Sequence, residues 1–224
     1  MDDLKRMELH YNKRENDLWS PYHCYPFFLS CKQMYIMTKI FKDMNLETKS
    51  ILDIGAGEGS FILKLLSLGA MPHNIVAVEF LRERYSILKQ KLSNIRSINS
   101  DYLNIPSKKY DVITIMAVLT SITDNTIRYA IVEKALEELE NGGKLIIYDY
   151  FSNKEEFLSS DYRAVSEEKI KEITKNLNIK IYRNVYLKSR YAKYLCKLHL
   201  QAFIPIFELL KIFNGKYHFM VIEK

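Results

Sequence analysis

The stretch Ile51-Leu52-Asp53-Ile54-Gly55-Ala56-Gly57-Glu58-Gly59-Ser60-Phe61 decides the fold. Its first four residues read as a short buried strand, with Asp53 near the carboxyl end. The glycines then allow a tight turn with positive φ that a ligand can approach closely. Apolar residues recur at helical spacing beyond the turn, namely Phe61, Ile62, Leu65 and Leu66. The stretch therefore predicts a strand, a glycine loop and a helix whose first N–H groups point at a ligand.

The glycine loop has two candidate cofactors, a dinucleotide and S-adenosylmethionine. The dinucleotide pattern G-x-G-x-x-G needs a glycine at position 60, where this chain has Ser60. The pattern Asp-x-Gly-x-Gly-x-Gly resembles instead the first motif of class I S-adenosylmethionine (SAM)-dependent methyltransferases. In that family the loop holds the amino-acid part of SAM, so the resemblance implies cofactor contacts at Asp53, Gly55, Ala56 and Gly57. A glycine turn without a ligand remains an alternative for the loop alone.

A second predicted strand, residues 75–79, ends in an acid. Glu79 lies about 20 residues beyond the glycine loop, the spacing at which an acidic strand end reaches a ribose in Rossmann-like sheets. As an isolated residue it would be read as a solvated strand end. The resemblance implies that Glu79 accepts hydrogen bonds from the ribose hydroxyls and that Phe80 contacts the adenine.

A third predicted strand, residues 96–99, is followed by Asp101 and Tyr102. Alone, this step would indicate only a turn or a helix cap. The methyltransferase resemblance implies that Asp101 bonds the adenine amino group. It also implies that Tyr102 contributes a backbone N–H and an apolar face.

The fourth predicted strand, residues 110–115, begins with Tyr-Asp-Val-Ile, a pattern typical of the same family. Met116 follows at the carboxyl end, where ligands bind in open α/β sheets, and is counted as a cofactor contact. Two nucleobase-methylation motifs, Asn/Asp-Pro-Pro-aromatic and Pro-Cys, do not occur here. No specific nucleic-acid partner is therefore predicted, despite a formal net charge of +6.

The fifth predicted strand, residues 144–150, carries the candidate catalytic base. A helix over 127–139 is expected to stop at Asn141-Gly142-Gly143, a helix C-terminal signal. Methylation of a hydroxyl requires removal of its proton, and Asp149 is the best-placed acid by topology. His23 and His199 are alternatives, and a structural role is an alternative for all three. No metal-ligand cluster stands out, so no metal is predicted.

The remaining C-terminal elements complete a sheet of seven strands. Residues 151–161 are expected to form a surface loop, and Ser166 to cap a helix that runs to about Leu177. Strands are predicted over 179–186 and 217–223, the last one antiparallel. The fold class is thus a Rossmann-like, mostly parallel α/β sheet.

We predict one methyltransferase domain over residues 1–224, with the SAM-binding core at 48–150 and a C-terminal half at 151–224. Residues 1–47 include a helix over 27–44, and their aromatic start is read either as a strap or as a lid. A helical insertion at 187–213 is read as extra packing. The alternatives are a cover over the acceptor pocket and a patch for an anionic, lipid-linked substrate.

Composition sets the broad class. The hydrophobic fraction of 48% and the charged fraction of 27% are those of a soluble globular protein. The scattered lysines are interpreted as biased composition rather than as a dedicated basic surface. Cys24, Cys31 and Cys196 are odd in number and are expected to be reduced thiols in a cytoplasmic protein. No apolar run suits a transmembrane segment, and peripheral membrane contact stays open.

The leading hypothesis is a SAM-dependent methyltransferase that releases S-adenosylhomocysteine. A narrower resemblance rests on Thr120-Ser121-Ile122 and on Tyr148-Asp149, which are similar to segments of bacterial methyltransferases of surface glycans and secondary metabolites. It implies a small-molecule or sugar acceptor, methylated on a hydroxyl. The alternatives are a SAM-binding accessory protein without turnover and a dinucleotide-dependent oxidoreductase, which Ser60 and Asp53 disfavour.

Overall fold

The computed structural model describes residues 6, 24–153, 155–183, 189–198, 200, 206 and 216–224. The helices are α1 (Cys24–Ile40), α2 (Ser60–Ser67), α3 (Arg82–Lys91), α4 (Asn125–Glu137), α5 (Glu167–Ile173) and α6 (Ser189–Lys197). The strands are β1 (Ile51–Ile54), β2 (Ile75–Glu79), β3 (Arg96–Asn99), β4 (Tyr110–Met116), β5 (Leu139–Ser152), β6 (Val165–Ser166), β7 (Asn178–Tyr182) and β8 (Tyr217–Glu223).

The strands form one sheet in the order β3-β2-β1-β4-β5-β8-β7, and short β6 pairs with the end of β5. The pairs from β3 to β5 are parallel, whereas β8 runs antiparallel to both of its neighbours. The order reverses at β1 and β4, which places a crevice at the carboxyl ends of these strands. The predicted Rossmann-like, mostly parallel α/β fold is confirmed.

A hydrophobic core covers each face of the sheet because the central strands are apolar on both sides. Every residue of β1 and β2 is buried. One core lies under α1 and α2, with Met37, Ile62, Leu65, Ile51 and Val112 among its members. The other lies under α4 and α5, with Val132, Ile170, Leu52, Ile113 and Ile147 among its members. This packing fixes the strand ends that build the site.

The start of β5 corrects one prediction. Helix α4 ends at Glu137, before the predicted Asn-Gly-Gly stop, and β5 already begins at Leu139. The backbone N–H of Gly142, at φ +76°, donates to the carbonyl of Lys224 at 2.8 Å. A Cβ on Gly143 would lie 2.8 Å from the carbonyl oxygen of Asp111. The glycines therefore let an irregular strand pass its neighbours and do not cap the helix.

Other boundaries also differ from the predictions. Strand β6 makes eight strands instead of seven, and β5 continues to Ser152 inside the predicted loop. Ser166 caps α5 as predicted, with its Oγ accepting from the N–H of Lys169 at 3.1 Å, but the helix ends at Ile173. Helix α1 lies three to four residues earlier than predicted.

The N-terminal segment and the insertion are described only in part. Of the predicted insertion, the structure describes α6 and a few residues after it. His23 and His199 lie outside the described residues. Cys196 is disulfide-bonded, which corrects the prediction of three reduced thiols, and Cys31 is free and exposed. Within the described part of the chain, no helix is both long and apolar enough to span a bilayer.

Candidate active site

The glycine loop is fastened to the end of β2. Gly55 and Gly57 have left-handed φ values of +69° and +58°, as the sequence pattern predicts for a tight turn. The backbone N–H groups of Gly55 and Ala56 donate to the carbonyl of Val78 at 2.8 and 3.0 Å. These bonds hold the loop at the crevice between β1 and β4.

Glu79 lies against this loop with 4% of its surface exposed. Its Oε2 accepts from the N–H of Gly57 at 2.6 Å, and its Oε1 accepts from the N–H of Leu81 at 2.8 Å. Each carboxylate oxygen can accept a further hydrogen bond, so hydroxyl donors of a ligand remain acceptable partners. Phe80, next in the chain, is 36% exposed and offers a ring at the same strand end.

Asp53 is buried with an unsatisfied oxygen. Its Oδ1 accepts from the hydroxyl of Thr114 at 2.6 Å, whereas Oδ2 has no hydrogen-bond partner. Burial raises the pKa of this carboxyl to about 7. Leaving a buried carboxylate oxygen unpaired is costly, and a cationic ligand group would relieve that cost. Thr114 was missed from the sequence, although a hydroxyl inside an apolar strand was a visible signal.

Arg84 is a second residue that the sequence did not single out. A Cβ on Gly57 would lie 2.7 Å from Nη2 of Arg84, so the guanidinium rests on the glycine loop. Nothing in the charged sequence of α3 marks which side chain turns inward. The structure thus adds a cation at the glycine loop.

The third predicted acid caps a turn. Oδ1 of Asp101 accepts from the N–H of Leu103 at 2.9 Å. The ring of Tyr102 points into the core, where it is 3% exposed and its hydroxyl donates to Glu138 at 2.7 Å. The core therefore encloses this ring, and its predicted apolar contact with a cofactor stays a prediction with no exposed ring surface in its favour. The backbone N–H contact of Tyr102 stays a prediction.

The end of β4 has a strained backbone. Met116 is partly buried, and the next residue, Ala117, has a φ of +57° although it is not glycine. The N–H of Ala117 donates to the carbonyl of Tyr148 at 2.7 Å, which holds this conformation. Strained residues of this kind cluster at functional sites, and the position faces the crevice end of the sheet.

Asp149 is buried and fully engaged. Its oxygens accept from the hydroxyl and the N–H of Thr120 and from the N–H of Tyr150. Burial raises the pKa of this carboxyl, and its exposed fraction is 0%. This geometry gives Asp149 the role of fixing the segment after β4. The catalytic role suggested from topology has no contact in its favour.

Arg128 continues this buried network. It is 0% exposed, and its guanidinium donates to the backbone carbonyls of Ile122, Arg163 and Ala164. The segment after β4 is thereby joined to the segment that precedes β6. No sequence pattern indicated this role, because position 128 falls among ordinary charged helix residues.

Arg6 ties the N-terminal part of the chain to the same two segments. Its guanidinium donates to the carbonyl of Ser121 at 2.6 Å and to that of Asp161 at 2.8 Å. The carboxylate of Asp161 lies 3.7 Å away, and Arg6 is 8% exposed. Arg6 is thereby fixed to the segment after β4 and to the segment before β6.

We expect Arg6→Ala to loosen this region locally. Each hydrogen bond from a charged donor contributes about 1.5–3 kcal/mol, so hydrogen exchange should speed up at least tenfold near residues 121 and 161. Amide exchange read by mass spectrometry measures this change. The exposed Lys89→Ala is the matched control. Unchanged amide hydrogen exchange near residues 121 and 161 in Arg6→Ala would contradict this role of Arg6.

The fold and the site together define a class. A Rossmann-like sheet carries a glycine loop after β1, an acid at the end of β2 and an unsatisfied buried carboxylate beneath the loop. Such a site suits a nucleoside whose far end is cationic, rather than a pyrophosphate.

The comparisons with known proteins agree with this class. Residues 51–143 match the family model of a methyltransferase domain. A search of curated proteins found no match to this sequence. The matched residues run from β1 to the start of β5, the part of the sheet that carries the glycine loop and Glu79.

Solved structures show the same fold at low sequence identity. Magnesium protoporphyrin IX methyltransferase from Synechocystis PCC 6803, with bound SAM, is 15% identical with a TM-score of 0.65 over 100% of this chain and 98% of that one. A SAM-dependent methyltransferase from Clostridium acetobutylicum is 15% identical, with a TM-score of 0.64 over 97% and 98%. An O-methyltransferase from a Brevibacillus brevis multienzyme, with S-adenosylhomocysteine, is 17% identical, with a TM-score of 0.61 over 93% and 78%.

Among the described residues, no group of three or more His, Cys, Asp or Glu side chains is arranged to hold a metal ion. At the crevice, Oδ1 of Asp53 accepts from a hydroxyl, and both oxygens of Glu79 accept from backbone N–H groups.

Proposed function

We propose that this protein transfers a methyl group from SAM to a hydroxyl oxygen of a small molecule or sugar. The observation that carries the cofactor assignment is the orphaned Oδ2 of Asp53, buried beneath the glycine loop. An ammonium group is the ligand that such an oxygen suits, and SAM carries one on its methionine end. The fit is one of charge and of hydrogen-bonding capacity.

The remaining predicted residues have complementary roles in this proposal. Glu79 accepts from the ribose hydroxyls with its free lone pairs, and Phe80 packs on the adenine. Asp101 lies next along the strand ends as the adenine contact. Bound SAM supplies a methyl group that is already electrophilic on its sulfonium, so the protein mainly has to hold the acceptor in line.

The acceptor class is supported by an aromatic cluster at the carboxyl end of β5. The rings of Tyr148 and Tyr217 stack with centroids 5.6 Å apart, and Tyr150 meets Tyr217 edge-on at 5.4 Å. Tyr217 is 36% exposed. Flat apolar faces with hydroxyl edges suit sugar rings and small aromatic molecules.

Methyl transfer can be tested directly with labelled SAM. The protein is incubated with SAM carrying a labelled methyl group and with a panel of sugars, lipid-linked sugars and small phenols. Label in an acceptor hydroxyl, identified by mass spectrometry, is the expected result, and Asp53→Asn should reduce it. Calorimetry with SAM and with NAD adds a second readout, and tight binding of NAD without SAM would overturn the assignment.

One observation favours a second candidate, a SAM-binding protein without turnover. Asp149, the only acid predicted as a base, already accepts hydrogen bonds from Thr120 and from the N–H of Tyr150. A protein of that kind would bind SAM and leave every acceptor of the panel unlabelled. The calorimetry and the transfer assay together separate the two candidates.

The protonation of Asp53 predicts how SAM affinity depends on pH. In the free protein its pKa is about 7, so the carboxyl becomes protonated as the pH falls below that value. The ammonium of SAM favours the ionised form, so binding releases a proton in acid solution. We expect affinity to fall about tenfold for each pH unit below 7, down to about pH 5.

Calorimetry across this range, in buffers of different ionisation heat, measures both the affinity and the released proton. In Asp53→Asn the pH dependence should vanish, with weaker binding at pH 7. A wild-type affinity that stays constant between pH 5 and 7 would contradict this role for Asp53.

A further inference from the structure

The outer surface of α1 is unusually apolar for an exposed helix face. Its inner side packs into the core through Ile36, Met37 and Ile40. Phe27, Cys31 and Tyr35 follow each other at four-residue spacing on the outer side, and all three are exposed, Phe27 by 53% and Tyr35 by 56%. A helix that is apolar on both sides is normally buried on both sides. We therefore expect a partner to cover this exposed apolar stripe of α1.

Helix α6 adds a second exposed stripe. Tyr194 and Leu198 are one helical turn apart and are 63% and 47% exposed. Leu200 and Ile206, further along the chain, are 41% and 51% exposed. Helices α1 and α6 pack against each other, so the stripes belong to one region of the molecule. We call the exposed side chains of Phe27, Tyr35, Lys39, Tyr194, Lys197, Leu198 and Leu200 the cap face.

The charge of the chain is concentrated in the same two segments. Residues 24–42 and 184–216 together hold nine Lys or Arg and a single acid, Glu208. The whole chain holds 33 basic and 27 acidic residues, so the rest of the sequence has slightly more acids than bases. The positive net charge of the sequence is therefore carried by these two segments.

We propose that the cap face docks on an anionic lipid bilayer. Aromatic and aliphatic side chains next to lysines are the chemistry of interfacial helices, whose apolar side enters the headgroup boundary while lysines meet anionic lipids. The ammonium of Lys39 lies 4.2 Å from the ring centroid of Tyr35, so charge and apolar surface alternate at close range. Lysine stems add apolar contact while their ammonium groups stay at the headgroups.

Two other occupants fit the cap face less well. A second copy of the chain would bring two cationic faces together, which like-charge repulsion opposes. A nucleic acid would be held by base stacking on aromatic rings, and Leu198 and Leu200 offer no such stacking. An anionic bilayer satisfies the charge and the aliphatic side chains at once.

Vesicle co-sedimentation of the full chain tests this proposal, and it needs neither SAM nor turnover. We expect binding to vesicles of phosphatidylcholine mixed with phosphatidylglycerol, little binding to phosphatidylcholine alone, and weaker binding at high salt. The pair Lys39→Gln with Lys197→Gln should weaken partitioning at least tenfold, because each lysine near an anionic surface contributes about fivefold. The pair Phe27→Ser with Leu198→Ser should weaken it at least tenfold through lost apolar contact.

Matched controls separate the cap face from general charge. Lys89→Gln with Lys175→Gln removes the same charge from exposed positions elsewhere, and Phe157→Ser removes an exposed ring from the loop after β5. Both should bind as the wild type does. Equal binding to the two vesicle types, or an equal loss in the controls, would overturn the proposal. So would a dimer, seen by light scattering, that only the serine pair dissociates, since it would make a second copy the occupant.

Discussion

Gly57→Val should lower the affinity for SAM at least about a hundredfold while the protein stays folded. Gly57 has a φ of +58°, a conformation that costs a residue with a side chain about 1–2 kcal/mol. Its Cβ would lie 2.7 Å from the guanidinium of Arg84, the mobile end of a side chain, so the fold can adjust. The branched side chain would stand on the loop surface that the cofactor has to approach, and calorimetry with SAM measures the loss.

Gly69→Ala is the matched control for backbone strain. Gly69 has a φ of +96°, and nothing lies within 4 Å of a Cβ placed there. Gly69→Ala should therefore lower the stability of the fold, as Gly57→Val does, but leave the affinity for SAM unchanged. If Gly57→Val still bound SAM like the wild type, the cofactor would not lie on this loop.

Arg128→Met should destabilise the protein by about 3–5 kcal/mol, since it leaves buried groups without their partner. The guanidinium is 0% exposed and satisfies the carbonyls of Ile122, Arg163 and Ala164. Its charge also favours the ionised form of buried Asp149. For a chain of this size, the midpoint of thermal unfolding should fall by at least about 6 °C.

Scanning calorimetry measures this shift, and the exposed Arg82→Met should leave the midpoint unchanged. Adding Asp149→Asn should recover part of the loss, because it removes the carboxylate that has lost its nearby cation. Fully additive effects of the two substitutions would show that Arg128 acts through the carbonyls alone.

Strand positions were largely predictable from the sequence because the central strands β1, β2 and β4 are short, mostly apolar runs. The bounds of β1, β2, β3 and β8 were predicted to the residue. The predicted end of α4 failed for a tertiary reason. The conformations of Gly142 and Gly143 depend on the nearby carbonyl groups of Lys224 and Asp111. These neighbours are distant in sequence, so no local pattern predicts them.

The candidate site was predictable where the motif itself carries the geometry. Glu79 and the glycines meet because the spacing of a βαβ unit brings two strand ends together. The partners of these motifs were not predictable, since Thr114 on β4 and Arg84 on α3 are brought to them only by the fold. The direction of the Tyr102 ring was also not predictable, because it depends on a hydrogen bond to the buried carboxylate of Glu138.

Glu79 has a consequence for how such domains change over evolutionary time. Its carboxylate joins the N–H of Gly57 to that of Leu81, so it holds the protein's own loop together whether or not a ligand is present. A descendant that lost methyl transfer would still lose loop order on replacing this acid, and selection for folding would retain it. An acid retained at position 79 therefore indicates that the loop structure is maintained. Evidence for catalytic turnover has to come from the residues at the end of β4.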